Sequence, residues 1–407
     1  MIYRLSNILG LDLNYFIKGG FWITLSLFAT TIGGIILSSL FSRLWPSDVY
    51  GQFSFLMSVL ALMSFTTVPG LSPMIVQEVA KGNDGIYREA IKIAFKWSLL
   101  GMSLLTFGSL YFYLRGNPAL GLAIFVSALV FPISACFNFF QPFLNGKRDF
   151  KNWAFYSFIA QYVSIIATGI ALWQFSSLVL VALFSAWSTA VINIILTLYS
   201  FGKVKNKRFD KKALKFGLNL SLGNLITTIP EYLDKFLIPI YLGFTANAVY
   251  AFAILIPSQI HNFFKIFLTL GQPKIAASSK IQLKKNLYKK AFQLEILVLS
   301  IVILYLLSAP SIFDILYPSY KNSAVFLSQL FSLSLLYYPT NLLGLANIHV
   351  KSTQSLYLSS IVQFVATILP FLILLPTLGL LGVVLAKIVS KIIMIFFQIY
   401  MFKKLHP

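Results

Sequence analysis

Charge is what this chain has least of. Charged residues make up 11% of its 407 positions, against about a quarter in a soluble globular domain. With 58% of residues hydrophobic, too few polar side chains remain to cover a water-facing surface. A soluble fold is therefore excluded, and the main solvent must be lipid. Acidic residues are scarcer still, 11 against 32 Lys and Arg. The one cysteine, Cys136, sits in an apolar stretch, which rules out an intrachain disulfide and a thiolate metal cluster. His261, His349 and His406 lack zinc-ligand spacing, so no metal site is expected. No G-x-x-x-x-G-K-[ST] loop is present, which excludes a nucleotide-driven pump, and no cofactor is expected. Arg4, Asp12 and Lys18 interrupt the first twenty residues, so no cleavable signal sequence is expected there. Ile2, Leu5, Ile8, Leu9, Leu13, Phe16 and Ile17 instead read as one face of a short helix lying at the membrane interface.

What is there in abundance is long apolar stretches. A helix crosses the hydrocarbon in about 20 mainly apolar residues. Twelve such stretches occur, roughly 20–41, 50–77, 92–114, 119–142, 153–174, 178–200, 216–242, 247–270, 291–310, 323–346, 355–376 and 380–402. Turn formers and charge separate them, as at Trp45-Pro46-Ser47-Asp48, Gly116-Asn117-Pro118 and Pro318-Ser319-Tyr320-Lys321. The loops are short and leave no room for strands. In lipid every backbone polar group must be satisfied within its own segment, so the fold expected is an all-α membrane protein of about twelve spans.

The basic residues are distributed unevenly. If the side that carries the N-terminus is the inner one, 25 of the 32 Lys and Arg fall on inner segments. Arg43, Arg115 and Lys321 fall on the other side, and four lie within spans. Such a bias places both termini in the cytoplasm and requires an even span number. The net charge of +21 is thus a topology signal, and nucleic acid is not expected as a partner because no reading module exists. The basic run 201–215 divides the chain into a first lobe, 1–200 with six spans, and a second, 216–407 with six more. Ser47-Asp48-Val49-Tyr50-Gly51 opens the second span and Asn247-Ala248-Val249-Tyr250-Ala251 opens the eighth. This echo points to two related six-helix lobes around a central cavity, an arrangement common in transporters.

Charge inside a span is costly and marks candidate pathways. In the seventh span, Glu231, Asp234 and Lys235 share a helix face at i, i+3 and i+4. They lie about 24–30 Å from its cytoplasmic end at 1.5 Å per residue, after Pro230. They read as a charged element at the outer part of a central cavity, with Glu231 and Asp234 as an ion-coupling or gating pair and Lys235 as a cavity cation, or as a salt bridge that joins two helices. Lys387 and Lys391, with Gln398, form a polar stripe on the twelfth span and are candidates for a cavity. Lys265 in the eighth span is a candidate too, with snorkelling to the surface as its alternative. Glu78 follows the breaker-rich Val68-Pro69-Gly70-Leu71-Ser72-Pro73 and either faces the cavity or pairs with Lys81 or Arg88. Asn138, Gln141, Gln161 and Asn341 are lesser cavity candidates, since amides in spans also bridge helices. The four intramembrane lysines outnumber the acids there, which favours an anionic cargo over a cationic one. A lipid-linked diphosphate sugar meets that description, with lysines as point-charge partners for its phosphates. No large outer loop is present to carry catalytic groups, so an enzyme, such as a membrane glycosyltransferase or polymerase, is not expected.

Several local motifs carry a resemblance across nearly the whole chain. They include Val49-Tyr50-Gly51-Gln52-Phe53-Ser54, Pro69-Gly70-Leu71 leading to Glu78-Val79-Ala80-Lys81, and Lys215-Phe216-Gly217-Leu218. Further on come Asp234-Lys235, Leu316-Tyr317-Pro318-Ser319-Tyr320 and Pro376-Thr377-Leu378-Gly379-Leu380-Leu381-Gly382. With this order and spacing the chain resembles the Wzx-type polysaccharide flippases of the MOP superfamily, which also holds the lipid II flippase MurJ and the MATE drug exporters. The resemblance implies two six-helix lobes around a cationic cavity in a bacterial cytoplasmic membrane. It implies alternating access that carries undecaprenyl-diphosphate-linked oligosaccharide, as O-antigen repeat units, from the inner to the outer leaflet. Protons, sodium or the membrane potential would drive the cycle, and a polysaccharide polymerase and a chain-length regulator would be partners alongside the membrane lipids. The family's acidic-basic pair falls on Asp234 and Lys235, and its second-span acid on Glu78. The chain departs from the pattern in its first span, where several relatives carry basic residues and residues 20–41 have none. A MATE-like cation-coupled antiporter is the alternative; it would call for a cavity dominated by carboxylates.

Overall fold

The computed structural model describes the backbone of residues 13–277, 280–344 and 353–405. Side chains are described for these except 13–20, 23, 222–229, 231, 265–290, 353–357 and 405. The interfacial face read over residues 2–17, and the side chains of Glu231 and Lys265, therefore lie outside the described residues. Within those residues every element is helical and there is no strand.

The chain runs through α1 (Leu13–Leu44), α2 (Ser47–Met63), α3 (Leu71–Ala80), α4 (Ile86–Leu114), α5 (Pro118–Cys136) and α6 (Phe140–Gly146). Then come α7 (Phe150–Gln174), α8 (Leu178–Phe201), α9 (Lys211–Leu242), α10 (Phe244–Ala277), α11 (Lys280–Leu316), α12 (Lys321–Ser332) and α13 (Thr353–Leu405). Among the described residues eight stretches are long and apolar enough to cross a membrane, in place of the twelve expected. They cover the expected spans one to six, nine, eleven and twelve, because the last, Leu358–Lys404, takes in two. The expected seventh, eighth and tenth spans fall on α9, α10 and on α12 with the 3-10 turn Leu333–Thr340. Many large apolar side chains face outward, among them Trp173 at 80% and Leu307 at 76% exposure. Apolar surface of this extent faces lipid, not water.

Local chemistry sets the breaks. Asn117 caps α5 by accepting a bond from the Leu120 amide at 3.1 Å, with Pro118 in the first helical position. The second span is broken at Val68, whose φ of 57° is left-handed for a β-branched residue. In the fourth span Pro142 has no N–H for the carbonyl four residues back, and the helix gives way to a 3-10 turn at Phe137–Phe139. In α13, Gly379 at φ 59°, ψ −136° interrupts the run. A side chain on Gly382 would come within 1.8 Å of the Leu374 carbonyl oxygen, two positions that a straight helix keeps about 12 Å apart. The chain therefore reverses there, and the Thr367–Ser390 hydroxyl bond of 3.0 Å joins the two arms.

The chain divides into two compact units. The first comprises residues up to Leu44 together with Leu56–Leu225. Its core holds Tyr87 stacked on Phe143 at 4.5 Å, with Leu71, Met74 and Ile75 around them. Gly70 lies so close to α9 that an added Cβ would meet the Gly217 oxygen at 2.4 Å. The Ser221 hydroxyl fastens this crossing, accepting from the Gly70 amide and donating to the Gly217 carbonyl, each at 2.8 Å. The second unit comprises Trp45–Phe55 and the chain from Ile226. Here the two halves of the sequence echo meet. The Asn247 side-chain amide donates to the Gly51 carbonyl at 2.9 Å, and Tyr50 stacks on Phe252 at 4.5 Å. Tyr317 and Tyr320 close on the same Phe252 ring at 5.0 and 4.1 Å. Gly51 admits this approach because it has no Cβ; one would lie 1.8 Å from the Phe244 oxygen.

Candidate functional site

The second unit gathers the intramembrane charges whose side chains are described. Asp234 is buried on α9, and its carboxylate takes the Lys387 ammonium of α13 at 3.0 Å. It also accepts from the Tyr250 hydroxyl of α10 and from the Lys235 backbone amide at 2.9 Å. A buried carboxylate survives in such a place only with its lone pairs met by donors and a cation. One helical turn along α13 from Lys387, Lys391 stands over the Tyr337 ring at 4.8 Å, a cation–π contact. Gln398 donates to the Tyr337 hydroxyl at 2.7 Å and to the Asn341 side-chain oxygen at 3.3 Å. Tyr337 thus joins Lys391 to Gln398 and, through it, to Asn341, while Lys387 of the same stripe pairs with Asp234. Among the described side chains this group sets three lysines, Lys235, Lys387 and Lys391, against one carboxylate.

The first unit gathers the amides. A cavity of about 380 Å³ opens within it. Asn138 comes from the turn after α5, Gln141 from α6 and Gln161 from α7, and all three line it. The break at Pro142 places Asn138 on the exposed side of the chain there. No charged side chain is among the lining residues.

Glu78 is in neither group. It is buried at the end of α3, bonded to Lys81 at 2.6 Å and to the Asn83 amide at 2.8 Å. The bond to Glu78 raises the Lys81 pKa. This is the pairing that the sequence left open beside a cavity role. Two further ion pairs stand nearby in sequence. Lys147 reaches Asp84 at 2.6 Å, and the Lys205 backbone amide reaches the same carboxylate oxygen at 2.7 Å. Lys203 reaches Asp149 at 2.6 Å, where Asp149 also caps α7 through the Asn152 amide. Burial pushes the Asp149 carboxyl up, but hydrogen bonds from Lys203 and Asn152 outweigh it and hold the pKa below its ordinary value.

Sequence reasoning missed Asp84, Tyr250 and Tyr337. Asp84 carried a signal: it is a lone acid between basic segments, in Asn83-Asp84-Gly85. Tyr250 stands in the echo of Tyr50, which marks its position but not its bond to Asp234. Tyr337 carried no signal, because in a chain with 20 tyrosines only its bond to Gln398 sets it apart. Among the described residues no group of three His, Cys, Asp or Glu side chains is placed to hold a metal ion.

Comparison with known proteins adds three findings. Residues 16–260 match the family described as polysaccharide biosynthesis protein. No curated protein matches the chain. Among solved structures, an inward-facing multidrug resistance MATE family transporter of the MOP superfamily superposes with a TM-score of 0.67 at 14% identity, over 92% of this chain and 95% of that one. An outward-facing MATE transporter gives 0.66 at 15% identity, over 97% and 96%. The lipid II flippase MurJ in an inward closed conformation gives 0.64 at 15% identity, over 94% and 89%. At such identities the likeness is one of fold.

Proposed function

The chain belongs to the polysaccharide biosynthesis protein family, and from that premise we propose that it is a flippase for undecaprenyl-diphosphate-linked oligosaccharide. In this reading it carries repeat units from the inner to the outer leaflet of a bacterial cytoplasmic membrane by alternating access, with both termini in the cytoplasm. The supporting observation is the charge group of the second unit, where Lys235, Lys387 and Lys391 accompany a single described carboxylate, Asp234. Fixed cations inside hydrocarbon are expensive and persist where an anion must pass. A diphosphate offers Lys387 oxygens equivalent to those of Asp234. The headgroup can therefore replace the carboxylate as the partner of Lys387, so that Lys387 itself is never left without an anion. The polyprenyl tail needs no protein site, because it is already soluble in the bilayer. Asp234, freed as the headgroup binds, is then the group that a coupling proton or cation would meet. No covalent bond changes in this cycle.

The test uses the full chain in liposomes that contain a fluorescent undecaprenyl-diphosphate oligosaccharide, with a membrane-impermeant quencher added outside. Translocation above protein-free liposomes is expected. A Lys387→Gln, Lys391→Gln variant should slow it at least tenfold while leaving the protein inserted. Equal rates in the variant and the parent would overturn the proposal. Proton-driven efflux of a small organic cation from the same liposomes would favour the antiporter reading instead.

A further inference from the structure

The cavity of the first unit has a chemistry that the lysine group does not explain. Its lining carries no ionised side chain, so it cannot neutralise a diphosphate. It is not an apolar pocket either. The side chains of Asn138, Gln141 and Gln161 make no hydrogen bond among the described residues, and the Ser157 hydroxyl is buried without a partner. Other polar groups of the lining are already committed. Asn193 donates to the Ser134 carbonyl at 2.9 Å, and Thr189 donates to the Ser164 hydroxyl at 3.0 Å. The three amides therefore present unused donors and acceptors from three successive segments of the chain. Met57, Leu60 and Phe131 supply apolar wall beside them.

An apolar ligand would strip water from three amides and replace none of their bonds, at a cost of about 1–3 kcal/mol each. An organic cation would find no carboxylate, and a phosphate would find no cation. A sugar ring carries hydroxyls that each donate and accept, as an amide does, and C–H faces that pack on apolar and aromatic side chains. The volume also lies within the range of small-ligand sites, about 300–1,000 Å³. We infer that the amide-lined cavity of the first unit binds an uncharged sugar residue and reads the glycan part of the cargo, through Asn138, Gln141 and Gln161. This deepens the flippase reading and rests on it for the identity of the cargo.

Saturation-transfer NMR on the full chain, in a detergent without a sugar headgroup, tests the site directly. The probes are free glucose, galactose, mannose, rhamnose, N-acetylglucosamine and N-acetylgalactosamine, with glucuronate as a charged comparison. At least one neutral sugar should give a signal and glucuronate none. The signal should fall at least fivefold in a Gln141→Leu, Gln161→Leu variant whose thermal midpoint matches the parent. A Gln161→Asn variant should retain part of it, which separates lost recognition from lost folding. Absence of any sugar signal, or a signal unchanged in the double variant, would overturn the inference. A parallel titration with undecaprenyl diphosphate alone separates the two readings. Carrier binding without a sugar signal would sink the carbohydrate site and spare the flippase. A sugar signal that the variant abolishes, without carrier binding, would do the reverse.

Discussion

Asp234→Asn is the substitution whose consequences can be worked furthest. Asp234 is 3% exposed, and Lys387 sits 3.0 Å from its carboxylate. At that separation and an effective dielectric near 20, the attraction is about 5 kcal/mol. Desolvating both charges consumes much of it, so the intact pair is worth far less than that. Removing one partner is a different matter. Lys387 keeps its charge in a site built around an anion, and losses of about 3–5 kcal/mol are usual in such cases. The Tyr250 hydroxyl can still donate to an asparagine oxygen, so the cost belongs to the ion pair and not to that bond. Lys387→Met should cost a similar amount, because it strands Asp234. The double variant Asp234→Asn, Lys387→Met removes the stranded charge and should recover at least about 2 kcal/mol relative to the sum of the single variants. Reversible unfolding in mixed detergent micelles, read as a double-mutant cycle, measures this. Single losses below about 0.5 kcal/mol, or a double loss equal to the sum, would refute the view that the two groups depend on each other.

Two further outcomes are expected. Gly51→Ala places a Cβ 1.8 Å from the Phe244 oxygen, so the backbones must separate, and the unfolding free energy should drop by about 1–3 kcal/mol; an unchanged unfolding curve would count against the close approach. The Asp149 carboxyl has a folded pKa below its unfolded value, so the stability it contributes is present above about pH 3.9 and is lost as the pH falls through the folded value. Acid unfolding followed by circular dichroism should therefore become shallower over that window in Asp149→Asn, and identical acid transitions in variant and parent would contradict the assignment.

Much of the architecture was legible without coordinates because hydropathy is a local property. The first six expected spans recur as Thr24–Leu44 through Leu178–Phe201. The breaker run Val68-Pro69-Gly70 does interrupt its helix, and the chain does break between the expected spans 355–376 and 380–402, at Gly379. The family resemblance carried by the short motifs also holds, since residues 16–260 match the polysaccharide biosynthesis family and the fold is that of the MOP superfamily transporters. The candidate residues were found by a cruder rule, that polar groups in apolar helices need a reason. That rule selects residues but not their companions. It named Asn138, Gln141 and Gln161 singly, with nothing to show that one cavity collects them. For Glu78 it left two roles open, and the structure shows its bonds to Lys81 and Asn83.

The sequence by itself determined that this protein lives in lipid and that it is helical, because both follow from composition within a few turns of chain. Tertiary structure alone decided which charges meet. Asp234 is adjacent in sequence to Lys235, yet neighbours on a helix point in different directions, and its carboxylate takes Lys387 and Tyr250 from two other helices. The same holds for the echo at Tyr50 and Tyr250. Repetition was visible in the letters, but the packing of one copy on the other required a glycine at Gly51, where the backbone of Phe244 leaves no space for a side chain.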